Sequence, residues 1–473
     1  MRLEEQIELI ISKLQGRSLS RESKEFETSV KWIRALPPSI TPPLRGRLLD
    51  SICRAFSISV PDLYLVVDGV SLATPEKPAK PPPLKVGEAQ LLSILPKGGW
   101  FDWYYEYTRQ TESPLSYHVF SSLSVIGAAL GRRVWLQWGF FKHWPNFCVV
   151  MAGPTGIVKK TSAFNIAEEL ITSCAVCPIL PEQFNAQVLI HELAKLGGHQ
   201  FVPAPEFSNL FDRQRFNEGL VTKFIRLLDC PAIYEGETFT RGREVVTDVA
   251  LTVLGATTAE QLIEAVPRQV ISSGFLNRFI WIWEEDTERC FSKPAIGNFG
   301  GNIRATIKRL KKWEGQVNLS PEAEALYDTW YRERKVKMRK LDPMVSKAVQ
   351  RGDVHALKAA LLVNSVQEDN IRVITPASIV VGIALIEYAE ARMPLLVHEL
   401  MQTSNTSDSE FVLKALRRMG GAATHSTLLR ACSKRLNKNA FILQIRTLEE
   451  AGLLVMGGSG LGSVYRLKGE QEL

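Results

Sequence analysis

The sequence predicts an α/β fold with a mainly parallel sheet, and three features of residues 88–300 support this prediction. Short apolar segments alternate there with helical patterns, as in domains built from strand–helix–strand units. Several of these segments are apolar throughout, which is typical of strands covered on both faces. One of them runs into a glycine-containing turn that is followed at once by an amphipathic helix. The rest of the chain is arranged around this core.

The order of elements predicts where the domains begin and end. Residues 1–72 form a small, mainly helical domain, and the proline-rich segment 73–87 is an extended linker, because proline propagates neither helix nor sheet. The core at 88–300 has candidate strands at 133–138, 146–152, 201–204, 248–257 and 278–283. A helical region at 301–403 has helices at 320–340, 346–367 and 376–403. The polar segment 403–409 is predicted to link it to a compact module at 408–473.

The strand at 146–152 leads into the segment GPTGIVKKTS, residues 153–162. Its glycines allow backbone N–H groups to turn toward a polyphosphate, and the following helix presents its positive end to the same anion. A lysine on the β- and γ-phosphates and a hydroxyl on Mg²⁺ complete such a site. The segment therefore predicts a site for ATP and Mg²⁺ that consists of Gly153, Pro154, Thr155, Gly156, Val158, Lys159, Lys160, Thr161 (the Mg²⁺ ligand) and Ser162.

The spacing of this loop departs from the pattern GxxxxGK[ST]. Counting from the first glycine places Val158 at the second glycine and Lys160 at the hydroxyl position. One additional loop residue brings Lys160 and Thr161 to the lysine and hydroxyl positions. We favour this register over the one that uses Lys159 with Ser162. The alternative to a phosphate site is a strand-to-helix turn whose lysines face solvent.

Three residues further along the chain suit ATP hydrolysis, which needs a carboxylate near the attacking water, a polar γ-phosphate sensor and often an arginine. Glu206 follows the strand at 201–204 and is predicted to orient water and to contact Mg²⁺ through water. Thr257 ends the strand at 248–257 and is the predicted sensor. Arg278 begins the strand at 278–283 and is predicted to reach a neighbouring subunit's nucleotide. A helix cap, a strand end and a surface ion pair are the structural alternatives.

Residues from Trp100 to Glu285 resemble a phage- and plasmid-borne family of P-loop proteins that is allied to primase-helicases and replicative helicases. The resemblance is carried by YTRQTESPLSYHVFSSLSVIGAALGRRV before the loop, GPTGIVKKTSA, LTVLGATTAEQL and GFLNRFIWIW, and it extends through helical residues to Met393. It implies a P-loop NTPase core, an acidic box near Glu206 as in additional-strand ATPases, and a homo-oligomer. Val158 and Pro205 depart from the family pattern, since Pro205 stands where aspartate is usual.

Residues 408–473 have the order helix, turn, helix, helix and two short strands joined by a glycine-rich turn, which is the order of a winged helix. In DNA-binding examples the third helix enters the major groove. Lys434, Arg435, Lys438 and Arg446 lie at or along that helix and are the predicted contacts to DNA phosphates or base edges. Winged helices also bind proteins, so this alternative stays open.

Two further segments are considered as candidate nucleic-acid contacts because of their composition. The run YRERKVKMRK at 331–340 carries six cations against one carboxylate, and it is either a solvated helix face or a contact to nucleic acid. The aromatic run WFDWYYEY at 100–107 favours core or lid packing over base stacking.

Composition and charge set limits on the protein class. The chain has 473 residues, 45% of them hydrophobic, which excludes a disordered or collagen-like protein. With 57 basic and 50 acidic side chains, the net charge of +7 permits a nucleic-acid partner without requiring one. Seven scattered cysteines favour a reducing compartment. The first residues do not have the pattern of a signal peptide and no apolar stretch reaches membrane-spanning length, so a cytoplasmic protein without a membrane partner is predicted.

Together these features predict an ATP-binding, ATP-hydrolysing DNA motor or helicase-like replication protein of a mobile element. The competing interpretation is a non-hydrolysing DNA-binding adaptor or regulator with a degenerate nucleotide loop. An accessory ATPase of a defence or transposition system is a third interpretation.

Overall fold

The structure, a computed structural model, describes residues 10–12, 14, 24–35, 42–56, 87–211, 219–238, 242–265, 274–367, 372–433, 436–457 and 463–468. The chain forms a central unit, Lys80–Leu400, and a second unit that combines Met1–Ala79 with Met401–Leu473. The predicted linker at 73–87 lies outside the described residues apart from Gly87. In the described part of the chain, no helix combines the length and the apolarity needed to cross a membrane.

The N-terminal part of the second unit is helical where it is described. Helices α1 (Lys24–Ala35) and α2 (Pro42–Ala55) place apolar side chains into a small core that also includes Ile11 and Leu14. The rings of Phe26 and Phe56 meet there at 5.0 Å between centroids.

The central unit alternates helices and strands. Its described helices are α3 (Glu88–Ile94), α4 (Trp100–Thr108), α5 (Leu115–Leu130), α6 (Lys160–Ser173), α7 (Ala186–Leu196), α8 (Leu220–Leu228), α9 (Ala259–Ala265), α10 (Gly300–Leu310), α11 (Pro321–Met338), α12 (Pro343–Ala348), α13 (Gly352–Gln367) and α14 (Pro376–Glu390), and α15 (Met393–Arg418) begins in it. Its described strands are β1 (Val134–Trp138), β2 (Phe141–His143), β3 (Val149–Ala152), β4 (His199–Ala204), β5 (Ile233–Thr238), β6 (Gly242–Thr247), β7 (Ala250–Thr257), β8 (Ile280–Trp283), β9 (Gly315–Leu319) and β10 (Val373–Ile374).

A four-stranded sheet with the order β4-β7-β3-β8 lies at the centre of this unit, and all its strands are parallel. The strands β3, β7 and β8 are buried along their whole length, as the apolar sequence predicted. The prediction of an α/β fold with a parallel sheet is therefore confirmed. Because parallel strands end at the same edge, the loops that follow β3, β4, β7 and β8 meet at one edge of the sheet.

The predicted strand at 133–138 belongs to a different sheet. It forms β1, which pairs with β9 and β2 in a mixed sheet of order β10-β9-β1-β2. The ribbon β5-β6 is a separate antiparallel pair. A periodic apolar pattern predicts that a strand forms, but it does not select the partner strand.

One hydrophobic core joins the predicted core at 88–300 to the predicted helical region at 301–403. Helix α5 is buried at every position, and its Phe120 belongs to the same cluster as Ile307 and Leu361. The boundary near residue 300 therefore does not separate two hydrophobic cores. The aromatic run at 100–107 forms α4, whose Trp100 and Tyr104 are buried in this cluster.

Three helical predictions need correction. The helix predicted at 346–367 is split into α12 and α13, and the helix predicted at 376–403 is split between α14 and α15. The linker predicted at 403–409 is wrong, since α15 continues through it. Serine, threonine and asparagine cost only about 0.5 kcal/mol each in a helix. The buried Leu400, Val412 and Leu416 on either side of this polar stretch stabilise the continuous helix.

The C-terminal part of the second unit contains β11 (Ala422–Thr424), α16 (His425–Cys432), α17 (Lys438–Glu450), β12 (Leu454–Gly457) and β13 (Val464–Leu467). These strands form an antiparallel sheet of order β11-β13-β12. Leu428, Ile445 and Tyr465 are buried together in its core.

None of the seven cysteines, all of which lie in the described residues, forms a disulfide bond. Burial raises the pKa of Cys148 and of Cys177 to about 12. Cys290 is the exposed one, since Cys177 is half-buried and the others are buried.

Candidate functional site

The predicted phosphate loop connects β3 to α6 at the carboxyl edge of the parallel sheet. Its first residue, Gly153, donates its backbone N–H to the carbonyl of Thr257 at 3.3 Å. A Cβ at this position would lie 2.3 Å from the carbonyl oxygen of Glu284 and 2.9 Å from the hydroxyl of Tyr117. The strand end is therefore packed so closely that only glycine fits, which starts the loop at a fixed point.

Lys160 turns back over this loop. Its Nζ donates to the carbonyl oxygens of Gly153 at 2.6 Å and Pro154 at 3.1 Å. Burial lowers the pKa of Lys160, and the nearby Glu260 carboxylate partly opposes that shift. Both direct acceptors are uncharged, so the ammonium keeps its charge available to an anion at the mouth of the loop.

Lys159 is placed differently, and its backbone explains the extra loop residue. It has φ 43° and ψ 45°, the left-handed conformation that glycine adopts without strain. In GxxxxGK[ST] a glycine precedes the lysine, so Lys159 occupies the glycine position when Lys160 is the lysine. The Lys159 Nζ lies 3.9 Å from a carboxylate oxygen of Glu112, and the Ser113 hydroxyl donates to its carbonyl. This geometry favours Lys160 over Lys159 as the candidate for a phosphate contact.

Val158 is a core residue. Its side chain is fully buried and belongs to the main hydrophobic cluster of the central unit. A Cβ on Gly153 would lie 2.9 Å from its Cγ2, so the valine packs against the base of the loop. The Val158 side chain is therefore not available to a nucleotide, and the contact predicted for this residue could involve only its backbone.

The outer part of the loop faces solvent. Thr155 and Gly156 are exposed, and Gly156 has φ 79° with open space around its Cα. Thr161 is exposed on the first turn of α6 and Ser162 is half-exposed. Among the described residues, no side chain caps the amino end of this helix. Its first N–H groups and its positive dipole end therefore remain available to an anion.

Thr257 lies beside the loop, as the sequence predicted for a sensor. It ends β7 in register with Ala152, and its own side chain is buried with Oγ1 donating to the Thr258 carbonyl at 3.2 Å. Thr258 caps α9, because its hydroxyl accepts from the Gln261 N–H at 3.2 Å. Thr257 must rotate its hydroxyl away from that carbonyl to bond a phosphate.

Glu206 lies at the same edge of the sheet, two strands from the loop. It follows β4, and β7 lies between β4 and β3, so the strand axes are roughly 10 Å apart. The side chain is exposed, and its Oε2 accepts a hydrogen bond from Asn209 Nδ2 at 2.7 Å.

Arg278 lies at the opposite edge. It precedes β8, and its guanidinium binds both carboxylate oxygens of Asp229, at 3.3 and 3.0 Å, and the carbonyl of Gly274 at 2.8 Å. Arg351 donates to the same carboxylate at 2.6 Å. Burial raises the pKa of Asp229, but the two guanidiniums outweigh it and hold the pKa below its usual value. The structure does not bring Arg278 together with the loop.

Sequence reasoning missed the residues that support the loop from below. Glu284 follows β8, its N–H donates to the carbonyl of Ala152 at 3.1 Å, and its carboxylate accepts from Ser116 at 2.6 Å and Arg392 at 3.1 Å. Burial raises the pKa of Glu284, while Arg392 opposes this shift. Tyr117 donates to the same Ala152 carbonyl at 2.7 Å. The signal available was a carboxylate directly after a buried parallel strand.

A cleft of about 240 Å³ opens beside the loop. It is lined by Gly153, Pro154, Ala259, Glu260, Trp283, Glu285 and Glu399. Within the described residues, no three His, Cys, Asp or Glu side chains come together as a metal site. A divalent ion here would depend on the Thr161 hydroxyl, ligand phosphates and water.

The predicted DNA contacts are only partly described. Lys434 and Arg435 lie outside the described residues. Lys438 is the half-exposed first residue of α17, and Arg446 on the same helix lies 3.1 Å from a carboxylate oxygen of Glu450.

Comparison of the chain with protein-family models and with curated proteins gives no match.

Proposed function

We propose that the central unit is a P-loop ATPase core of the additional-strand type, which binds ATP with Mg²⁺ and works on DNA. The observation that carries the proposal is the Lys160 ammonium, held by two carbonyls at the uncapped amino end of α6. A cation, an amino-terminal helix end and a glycine-bounded loop converge there on one point. A polyphosphate is the ligand that satisfies all three.

Binding follows from these groups. Lys160 exchanges its carbonyl partners for the β- and γ-phosphates, and backbone N–H groups from Thr155 to Thr161 hold the remaining oxygens. Thr161 holds Mg²⁺, which, when bound, neutralises charge on the transferred phosphoryl group. Glu206 orients the attacking water and would contact Mg²⁺ through a second water molecule. Thr257 contacts the γ-phosphate.

The strand order supports this assignment. One strand, β7, lies between the strand before the loop and the strand before Glu206, which is the inserted strand that the additional-strand class is named for. Ile179 adds a parallel bridge to Phe201 on the far side of β4. The order of the buried strands and the placement of Thr257 beside Gly153 are therefore those the hydrolysis scheme requires.

The C-terminal module supports a role on DNA. Its described elements follow the order of a winged helix, with α17 as the third helix and β12 and β13 as the wing strands. Lys438 and Arg446 on α17 are proposed to contact DNA phosphates. The resemblance to primase-helicase-related proteins agrees with a motor of mobile-element replication that assembles as a homo-oligomer. With Arg278 held by Asp229, the proposal assigns no trans-acting role to that residue.

A second candidate function, a nucleotide-binding adaptor that does not hydrolyse ATP, is favoured by one observation. Pro205 stands beside Glu206 where a carboxylate would assist Mg²⁺, and Glu206 itself is bonded to Asn209. Nucleotide binding is common to both functions, and only phosphate release separates them.

The test compares Lys160→Ala with Lys159→Ala. We expect Lys160→Ala to weaken binding of a fluorescent ATP analogue by about 100-fold, because charge-assisted hydrogen bonds contribute about 1.5–3 kcal/mol each. Lys159→Ala should change it less than about threefold, since its side chain points to Glu112. Equal affinities for both variants and the wild type would refute the nucleotide site.

Phosphate release in the presence of DNA separates the two functions. An ATPase should lose turnover in Glu206→Gln while ATP affinity stays within about threefold of wild type. If the wild type binds ATP but releases no phosphate with single- or double-stranded DNA, the adaptor function is correct. Lys438→Ala and Arg446→Ala should each reduce the slope of the logarithm of duplex affinity against the logarithm of salt concentration by about one, because each removes one phosphate contact.

A further inference from the structure

The hairpin formed by β1 and β2 ends in an exposed pair of aromatic rings. Trp138 pairs with Phe141, so Gly139 and Phe140 form a two-residue turn in which Gly139 has φ 57°. A positive φ at the first turn residue is the geometry of a type II′ hairpin turn, which glycine supports. This turn projects Phe140 from the tip of the hairpin.

The exposure of these rings is unusual for their size. Phe140 is 86% exposed and Phe141 is 53% exposed, and their ring centroids are 3.9 Å apart. Exposing two neighbouring phenylalanine side chains to water is unfavourable relative to burying them. Clustered exposed apolar side chains commonly mark an interaction site. The pair therefore forms a small aromatic platform at the tip of the hairpin.

A line of aromatic rings connects this platform to the basic helix α11. Trp138 is opposite Phe141 on the same face of the hairpin, and its ring meets Tyr327 of α11 at 5.1 Å. Tyr327 stacks with Tyr331 at 6.1 Å, and the ammonium of Lys335 lies 4.8 Å from the Tyr331 ring centroid. Tyr327 is buried and Tyr331 is half-exposed, so this path of contacts passes through the edge of the core before it reaches the exposed Lys335.

The hairpin is basic, whereas α11 carries carboxylates as well as cations: Arg332 is paired with Asp328, and the buried Arg334 is paired with Glu390. No acidic residue occurs between Gly131 and Asn146, and Lys142 is exposed beside the platform. On α11, Lys335 and Lys337 are 51% and 67% exposed, and their carboxylate partners lie at 3.9 Å. Ion pairs of this exposure and length contribute little, so these cations can transfer to phosphates at small cost. Exposed rings beside exposed cations match the bases and phosphates of an unpaired strand.

We propose that the hairpin tip, Phe140 and Phe141, stacks against bases of single-stranded DNA while Lys335 and Lys337 of α11 follow its phosphates. This inference rests on the DNA-associated function proposed above and assigns to it a strand-binding surface separate from α17. A second copy of the chain fits this surface less well. The strand β2 is a sheet edge of three residues with Lys142 at its centre, and short edges that carry lysine resist pairing with another sheet.

The experiment measures fluorescence anisotropy of a labelled 20-nucleotide oligothymidine and of an abasic strand of the same length. Because stacking on one ring contributes several-fold to affinity, Phe140→Ala with Phe141→Ala should weaken oligothymidine binding by roughly tenfold or more. Abasic binding and the slope of affinity against salt should not change, since the rings carry no charge. Phe140→Tyr with Phe141→Tyr should retain wild-type affinity.

Ile296→Ala is the matched control, because it removes another exposed apolar side chain, 50% exposed, from the same unit. It should leave oligothymidine binding unchanged. The inference is overturned if the alanine pair binds oligothymidine like wild type, loses oligothymidine and abasic binding equally, or changes only the sedimentation of the protein. A wild-type protein that binds ATP but neither strand would also overturn the inference. A wild-type protein that binds oligothymidine but not ATP would refute the nucleotide site and leave the strand-binding surface supported.

Discussion

The two edges of the central parallel sheet hold their cations in different ways. At the carboxyl edge, Lys160 donates to two neutral carbonyls at the exposed start of α6. At the amino edge, Arg278 and Arg351 both bind the carboxylate of Asp229. Asp229 neutralises the two arginines, whereas both acceptors of Lys160 are uncharged and lie beside the exposed start of a helix. The acceptor and the exposure of the site together, and not the residue type alone, distinguish the two edges.

The largest expected effect comes from breaking the paired edge. Asp229→Asn leaves two partly buried guanidiniums without their counterion and should lower the free energy of unfolding by about 3 kcal/mol. Urea denaturation measures this loss. The control is Asp248→Asn, because Asp248 is a 77% exposed partner of Arg132 and its loss should cost less than about 1 kcal/mol. Equal losses in the two variants would contradict a structural role for the Asp229 pair.

A second prediction tests the fixed start of the loop. Gly153→Ala places a methyl group 2.3 Å from a backbone carbonyl oxygen, and the strand end must move. We expect a loss of about 2–3 kcal/mol in the free energy of unfolding, together with weaker ATP binding. Gly156→Ala meets no neighbour and should cost only about 1 kcal/mol, from its positive φ. Similar values for both variants would show that the loop start is not tightly packed.

The third prediction concerns pH and the helix that supports the loop. His118 on α5 is fully buried and shares a hydrogen bond of 2.7 Å with Thr111, and burial, with a smaller effect of Arg289, lowers its pKa to about 3. The unfolded chain takes up this proton near pH 6.5, so stability is present above that pH and is lost as pH falls.

For this single histidine the loss is about 1.4 kcal/mol for each pH unit below 6.5. Denaturation curves between pH 7 and pH 4.5 should show a shallower pH dependence in His118→Gln. An unchanged pH dependence would mean that His118 does not stay neutral in the folded protein.

The smallest effect sharpens the comparison of the two loop lysines. Lys159→Gly removes a left-handed strain of about 1–2 kcal/mol but increases the entropy of the unfolded chain, so we expect a net gain of about 0.5 kcal/mol. Lys159→Ala keeps the strained backbone and should give no gain. A destabilised glycine variant would contradict the assignment of Lys159 to the glycine position.

The parallel sheet could be predicted from the sequence because its strands are apolar throughout. The position of Thr257 beside the loop could be predicted because the apolar strand pattern ends at this residue. It could not assign β1 to the second sheet, since pairing depends on contacts between distant segments such as β9. The choice of Lys160 over Lys159 was favoured from spacing, but only the positive φ of Lys159 gives it a physical basis.

Other parts of the site depended on tertiary contacts that a linear pattern does not contain. Arg278 has the sequence surroundings of a functional arginine, yet Asp229 and Arg351, which determine its role, are distant in the chain. The role of Glu284 could not be predicted either, because its partners Arg392 and Ser116 are also distant in the chain. The polar stretch at 403–409 resembled a linker because helix propensities differ too little to end a helix with apolar residues on both sides.

The difference in exposure among the cysteines allows one of them to be labelled selectively for spectroscopy. Cys290 is the exposed cysteine, while burial keeps Cys148 and Cys177 protonated at neutral pH. A maleimide dye should therefore react at Cys290 first and leave the folded chain singly tagged. Cys290 follows the end of β8 and precedes Phe291, whose N–H donates to Glu112, the carboxylate that faces Lys159. A fluorophore at this position would test the proposed nucleotide site in the wild-type protein without any engineered substitution.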